Sequence, residues 1–183
     1  VIWICVNTDS FGAKLLTGAG FLMIVESVIA GRGNVKFIHQ ENAGAGAARN
    51  KALRYASGDY LLFIDGDDYI SSNSLNILKI EMQKNEDLDV LIFMYRYYDE
   101  GSCVFRKMSQ RDAEVYNDVA FQNRVFSFEE CPQLHECITY PWNKLFRRSF
   151  VEENNLTFSE TVVHNDIFFN IASLARARRI RII

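Results

Sequence analysis

Apolar runs of strand length alternate with single helix-length segments through the first two thirds of this chain. That order constrains the fold more than any other feature. "VIWICV" (1–6), "VKFI" (35–38), "YLLFI" (60–64) and "DVLIFMYRYY" (89–98) read as strands, rich in β-branched and aromatic residues. Helices are predicted between them over 13–30, 45–56 and 71–85. Gly31 and Gly33 close the first, and Ser57-Gly58 stops the second. In the third, Leu75, Ile77, Leu78 and Met82 are predicted to face inward. Strands joined by single helices predict parallel βαβ units, and so an α/β fold with a mostly parallel sheet flanked by helices. The last third is less regular. Strands are predicted at 102–107 and 113–116, as a small antiparallel section, with helices at 117–126, 148–154 and 166–177. "RIRII" (179–183) reads as a closing strand.

The 183 residues are 49% hydrophobic, enough for one domain (1–183) with a sizeable core. A net charge of -3 gives no basic field of the kind that nucleic acid binding requires. The cysteines, Cys5, Cys103, Cys131 and Cys137, are scattered, which suits a reducing, cytoplasmic setting. Cys131, His135 and Cys137 match no standard zinc spacing, and ordinary packing is the expected role. Leu15–Ala30 is apolar but interrupted by Thr17, Glu26 and Ser27, and is shorter than a bilayer span, so a buried helix is expected. The first residues do not read as a signal peptide. A chain that starts and ends in strands is expected to be a piece cut from something longer.

Ligands in open parallel sheets sit beyond the carboxyl ends of strands. At one such end, "LLFIDGDDYI" (61–70) places Asp65, Asp67 and Asp68 within four positions. Carboxylates this close repel unless a cation offsets them, and Mg²⁺ or Mn²⁺ prefers oxygen ligands. Gly66 lets the turn tighten. The competing reading is a solvated Asp-Gly turn with Asp68 capping the next segment. In "QENAGAGAARNKAL" (40–53), Asn42 can bond its own turn, and Gly44 and Gly46 open a helix start whose free N–H groups favour anions. Arg49 follows in the first turns. It stands where a dinucleotide fingerprint would need a third glycine, so that motif is absent. Farther on, Trp142, Asn143 and Lys144 precede "LFRR", and Asp166 opens an amphipathic segment, where an N-cap is its plain structural role.

These stretches in this order resemble family 2 of the glycosyltransferases. The likeness runs through "ENAGAGAARNKAL…SGDYLLFIDGDDYI" and "WNKLFRRSFVEEN…HNDIFFN", over roughly residues 35–183. The resemblance implies a GT-A fold, Rossmann-like, and metal-dependent transfer of a sugar from a nucleotide-diphosphate sugar, a UDP-sugar above all, to a hydroxyl acceptor with inversion. By similarity, Asp65-Gly66-Asp67 is the Asp-x-Asp signature. Asp65 lies near ribose and metal, Asp67 binds Mn²⁺ or Mg²⁺, and Asp68 completes the common longer form. Asn42, Gly44, Arg49 and Gly66 fall beside the nucleotide, and Asp9 corresponds to a uracil contact despite its displacement by Thr8. Asp166 matches the proposed catalytic base, with Asn165 where a first acid usually stands. Trp142, Asn143 and Lys144 would shape the acceptor side. The family's first strand and loop have no counterpart here, which predicts an unpaired sheet edge and either poor solubility or association of copies through it. The alternative is an impaired GT-A fragment that binds nucleotide-sugar or glycan without turnover. Acids at a strand end also serve metal-dependent phosphohydrolases and nucleotidyltransferases, but no set matching a phosphatase's nucleophilic Asp or second metal cluster is present. Asp65 and Asp166 could be imagined as a glycoside hydrolase pair, but the Arg49 helix would then lack a purpose. Expected partners are the donor and a glycan or lipid-linked acceptor, within surface polysaccharide or glycan synthesis. Arg147, Arg148, Arg176, Arg178, Arg179 and Arg181 add an expectation of peripheral contact with the inner face of an anionic membrane.

Overall fold

A computed structural model describes residues 2–4, 35–38, 40–65 and 68–183. The predicted helix 13–30, Cys5, Asp9, Gly66 and Asp67 lie outside the described residues. Strands β1 (Ile2–Ile4) and β2 (Val35–Phe37) pair in parallel. Next come helix α1 (Gly44–Leu53), β3 (Tyr60–Leu62), α2 (Ser74–Lys84) and β4 (Val90–Ile92). A hairpin follows, formed by β5 (Arg96–Asp99) and β6 (Val104–Lys107), and then α3 (Gln110–Tyr116). The chain finishes with β7 (Lys144–Arg147), α4 (Arg148–Glu153), α5 (Ile167–Arg176) and β8 (Ile180–Ile182).

The central sheet has the order β3-β7-β4-β8. Strand β7 runs antiparallel to both β3 and β4, while β8 is parallel to β4. Thus β3, β4 and β8 share one direction and β7 alone is reversed. The sheet is covered on both faces, as α/β layering requires. Leu91 and Leu145 pack on one side with Leu78 and Met82 of α2. Val90, Ile92 and Phe146 pack on the other with Phe169, Ala172 and Leu174 of α5. Neighbours in β7 therefore serve opposite faces, as the period of a strand demands.

Several expectations need correction. Residues 113–116 are not a strand: Ser109 accepts a hydrogen bond from the Asp112 backbone N–H (3.0 Å) and caps α3, which runs through them. Residues 117–126 are turns, not a helix. Asp118 Oδ1 accepts from the Ala120 N–H, and Asn123 takes a left-handed backbone (φ 58°). The segment ends by bridging Gln122 and Phe126 to β8. The antiparallel hairpin pairs 96–99 with 104–107, so it sits in mid-chain, and the long predicted strand 89–98 breaks into β4 and β5. On α2, Leu78 and Met82 face inward as expected, but Leu75 and Ile77 are exposed. Strand β7 had no counterpart in the sequence reading. Lys144 and Arg147 flank its two apolar residues and mask it.

Phe146 is fully buried at the centre of the sheet. Its ring meets Phe63 and Phe169 edge-on at 6.0 and 5.2 Å. Phe146→Ala should cost about 3–5 kcal/mol in a denaturant titration. Leu75→Ala should stay within about 0.5 kcal/mol, since its side chain is exposed. Equal effects would contradict this core assignment.

Candidate active site

Because β3 and β4 point the same way, the chain leaves both at one edge of the sheet. Asp65 follows β3 there. Helix α5 feeds β8, which is parallel to β4, so the start of α5 and its N-cap residue Asp166 lie toward that same edge. Topology alone thus gathers the acid turn and Asp166.

Arg49 joins them. Its Nη2 donates to Asp65 Oδ1 (2.6 Å) and its Nη1 to Asn165 Oδ1 (3.0 Å), while its guanidinium lies 5.4 Å from the Phe158 ring centroid. The planar fork aims its two N–H groups in fixed directions, one at each acceptor. Helix α1 is pressed onto the 158–165 loop to make this reach. A Cβ on Gly46 would fall 2.0 Å from the Ser159 carbonyl oxygen, so only glycine permits the approach. Asn50 clamps the same loop, accepting from the Phe158 N–H (2.8 Å) and donating to the Phe158 carbonyl (2.9 Å) and Glu160 Oε1 (3.1 Å). Ser159 N–H closes the loop onto the Asn165 carbonyl (2.9 Å). At the start of α1, Gly44 adopts φ +84° and donates its N–H to Asn42 Oδ1 (3.0 Å), an Asx-type turn that leads into the helix.

An aromatic floor aligns these segments. Phe63, two residues before Asp65, packs edge-on against Phe158 and Phe169, at 5.0 and 5.5 Å. Phe158 and Phe169 stack at 4.1 Å, and Phe169 is three residues past Asp166. Asp166 occupies the N-cap position but makes no side-chain cap bond, so the plain capping role does not account for it. Its residue is only 9% exposed, and its carboxylate has no hydrogen-bond partner among the described residues.

The acid turn is closed by the Asp68 N–H to the Asp65 carbonyl (3.1 Å) and by the Asp65 N–H to Asp68 Oδ2 (3.3 Å). Asp68 therefore bonds back within the turn. Among the described residues, no cluster of three His, Cys, Asp or Glu forms a ready metal cage. Mg²⁺ and Mn²⁺ sites built on one or two carboxylates plus substrate phosphates do not need one. Asp65 suits such a site: it is 43% exposed and spends only Oδ1 on Arg49.

Asn143 and Lys144 are buried, so they shape their surroundings from behind. Lys144 Nζ donates to the Ile138 and Tyr140 carbonyls (3.0 and 2.8 Å) and to Asn143 Oδ1 (2.8 Å). Burial pushes its ammonium down to about 7, against the opposing electrostatic pull of Cys137, Asp112 and Asp166. Asn143 Nδ2 donates to the Tyr116 hydroxyl (3.2 Å). Trp142 is only part-buried and lies edge-on to Tyr95 (4.8 Å) and stacked near Tyr140 (5.9 Å). Tyr95 donates its hydroxyl proton to buried Asp112. A hollow of about 810 Å³, lined in part by Asp89, Glu153, Arg176 and Arg178, opens at the opposite edge of the sheet, ahead of β4 and β8. It is not part of this site.

Cys131 and Cys137 are buried and His135 is exposed, with its Nδ1 at 2.6 Å from the Pro132 carbonyl oxygen. The two thiols pack in the core, and His135 stands outside it at the surface. Of the six arginines expected to form a basic face, Arg147, Arg148, Arg179 and Arg181 pair with Asp89, Glu152, Asp87 and Glu81. Among the described residues, no helix is long and apolar enough to cross a membrane.

The family model for "Glycosyl transferase family 2" matches residues 19–155, most of the chain. The chain belongs to glycosyl transferase family 2. The uncharacterized glycosyltransferase EpsJ of Bacillus subtilis (strain 168) is 33% identical over 157 residues, which are 81% of this chain and 42% of EpsJ. The cholesterol galactosyltransferase of Borreliella burgdorferi is 27% identical over 164 residues, 88% of this chain and 45% of that protein. This family 2 chain thus spans less than half the length of these curated relatives. The crystal structure of S. aureus TarS 1–349 in complex with UDP-GlcNAc superposes with a TM-score of 0.68 at 24% identity, covering 89% of this chain and 43% of TarS. That likeness shows a GT-A fold. Sequence reasoning missed the roles of Asn50 and Phe158. The signal was an asparagine inside a helix otherwise made of small and basic residues, a place where asparagine is unfavourable unless its side chain has a partner.

Gly46→Ala should force α1 off the 158–165 loop, lower stability by about 1–3 kcal/mol and raise amide exchange across 159–165. Unchanged exchange would show that the helix and loop are not in contact. Burial also pushes the Cys137 thiol up from 9.0 to about 12. Between those values the folded chain keeps a proton that the unfolded chain has released. This thiol's contribution to stability is therefore lost as pH rises from about 9 toward 12. Cys137→Ala should flatten that part of the stability–pH curve, and an unaltered slope would contradict the assignment.

Proposed function

We propose that this chain is the catalytic part of a metal-dependent, inverting glycosyltransferase, which moves a sugar from a nucleotide-diphosphate sugar to a hydroxyl acceptor in glycan synthesis. The observation that carries this reading is the two-way bond of Arg49 to Asp65 and Asn165. It unites the acid turn with the segment bearing Asp166, the bond to Asn165 spanning 116 residues of sequence. Uridine is the expected base, consistent with the UDP-GlcNAc bound to TarS, whose fold this chain shares.

In this reading Asp65 and Asp67 hold Mn²⁺ or Mg²⁺, which when bound offsets the charge of the departing diphosphate. Arg49 holds Asp65 in place and adds positive charge beside the diphosphate. The first turn of α1, past Gly44 whose own N–H goes to Asn42, adds its partial positive charge toward the same anion. Asp166 accepts the proton of the acceptor hydroxyl, for which its carboxylate has no competing hydrogen bond among the described residues. Attack from its side, opposite the leaving diphosphate, inverts the anomeric centre. The neutral Asn165 leaves Arg49 with Asp65 as its only carboxylate partner among the described residues.

The test is a panel of nucleotide sugars incubated with the protein, Mn²⁺ and candidate acceptors, with released nucleoside diphosphate as the readout. One donor should be consumed. Asp166→Asn should lower turnover by ~10²–10⁴-fold while leaving the melting temperature and donor binding in place. Undiminished transfer would remove Asp166 from the role. Donor binding without release across the panel would instead favour a binding module on the same fold.

A further inference from the structure

The β5–β6 hairpin leaves the sheet at the edge that carries the acid turn, and one of its faces is built unusually. Cross-strand pairing sets Arg96 opposite Lys107 and Tyr98 opposite Phe105, so the alternation of a strand puts all four side chains on one face. Arg96 and Lys107 have no ion-pair partner among the described residues, whereas Arg106 on the other face pairs with Asp99. Like charges directly opposite one another destabilise a ladder. Beside them, Tyr98 (41% exposed) and Phe105 (65%) meet at 5.0 Å between centroids. Tyr69 (81%) meets Tyr98 edge-on at 6.4 Å. Tyr69 is the residue after Asp68, so three exposed rings lead from the acid turn to two unpaired cations. A contiguous exposed aromatic patch signals an interaction surface, and the opposed cations call for an anion between them.

We propose that this ledge binds the acceptor, a glycan chain carrying phosphate or carboxylate groups. Sugar rings present flat C–H faces that lie against Tyr69, Tyr98 and Phe105, and the tyrosine hydroxyls add polar tips for the hydroxyl groups. Arg96 and Lys107 take the anionic substituent. A single chain suits the ledge better than a lipid surface. Asp68 and Glu100 are exposed beside it, and a broad anionic bilayer would press on both. The proposal names the acceptor class for the transfer reaction above and rests on that reading, but its test requires no turnover.

The protein would be titrated, without donor, against a phosphomannan, an oligogalacturonate, neutral dextran and phosphatidylglycerol vesicles. Binding of the first or second is expected, and which one binds identifies phosphate or carboxylate as the anion. It should weaken by about tenfold or more in both Tyr98→Ala/Phe105→Ala and Arg96→Glu/Lys107→Glu, and should fall with added salt. The four side chains are exposed, so circular dichroism and melting should be unchanged, which checks folding. Equal binding of dextran, binding of vesicles alone, binding of neither anionic glycan, or binding insensitive to both variants would overturn the proposal. Glycan binding that obeys these rules in a protein that consumes no donor would leave the ledge standing and refute the transfer reaction instead.

Discussion

The Arg49 guanidinium is the contact on which the geometry of the site depends. One planar group bonds a carboxylate 16 residues away and an amide 116 residues away. Its net contribution to stability is small, because the Asp65 side chain is half in water and such pairs are screened. Its importance is positional. Two directed N–H bonds fix the orientation of two segments, and a point charge on a flexible stem would not. The residues around Arg49 make that reach available. Gly46 removes the side chain that would hold α1 off the loop, and Asn50 binds the loop's backbone in both directions. The rings of Phe63, Phe158 and Phe169 set the depth at which the segments meet.

The sheet supplies the remaining constraint. Strand β7 runs against its neighbours, yet β3, β4 and β8 keep a common direction. The acid turn, the hairpin and the start of α5 all emerge at one edge for that reason. Behind that edge, Lys144 donates to the carbonyls of Ile138 and Tyr140 and to the side chain of Asn143, and Asn143 reaches Tyr116. A buried polar network satisfied this fully holds one arrangement and resists alternatives. The Trp142 region is thus held from beneath, leaving the ring part-buried at the surface.

Much of this was legible in the residues. Single helices between apolar runs implied the α/β class, and glycines beside "ARN" and acids at a strand end marked the two halves of the site. What was hidden has physical causes. Lys144 and Arg147 disguise β7, because charged residues at the ends of a four-residue strand leave only two apolar positions to read. Val115 and Tyr116 look like a strand until Ser109 is recognised as a cap. The contact of Asn50 with Phe158 spans 108 residues, and no local pattern reports a pairing at that distance. Leu75 and Ile77 show the opposite limit: helical spacing marks a stripe, and burial depends on what covers it.

The account rests on Asp65, Asp67 and Arg49 forming one receptor for a metal ion and a diphosphate. Calorimetric titration of UDP into the protein, in Mn²⁺ and then in EDTA, tests this most directly, with Asp67→Asn and Arg49→Ala titrated alongside. The account predicts binding in Mn²⁺ that collapses in EDTA and in Asp67→Asn, and that weakens in Arg49→Ala. Binding of equal strength with and without the metal, or indifferent to both substitutions, would contradict it.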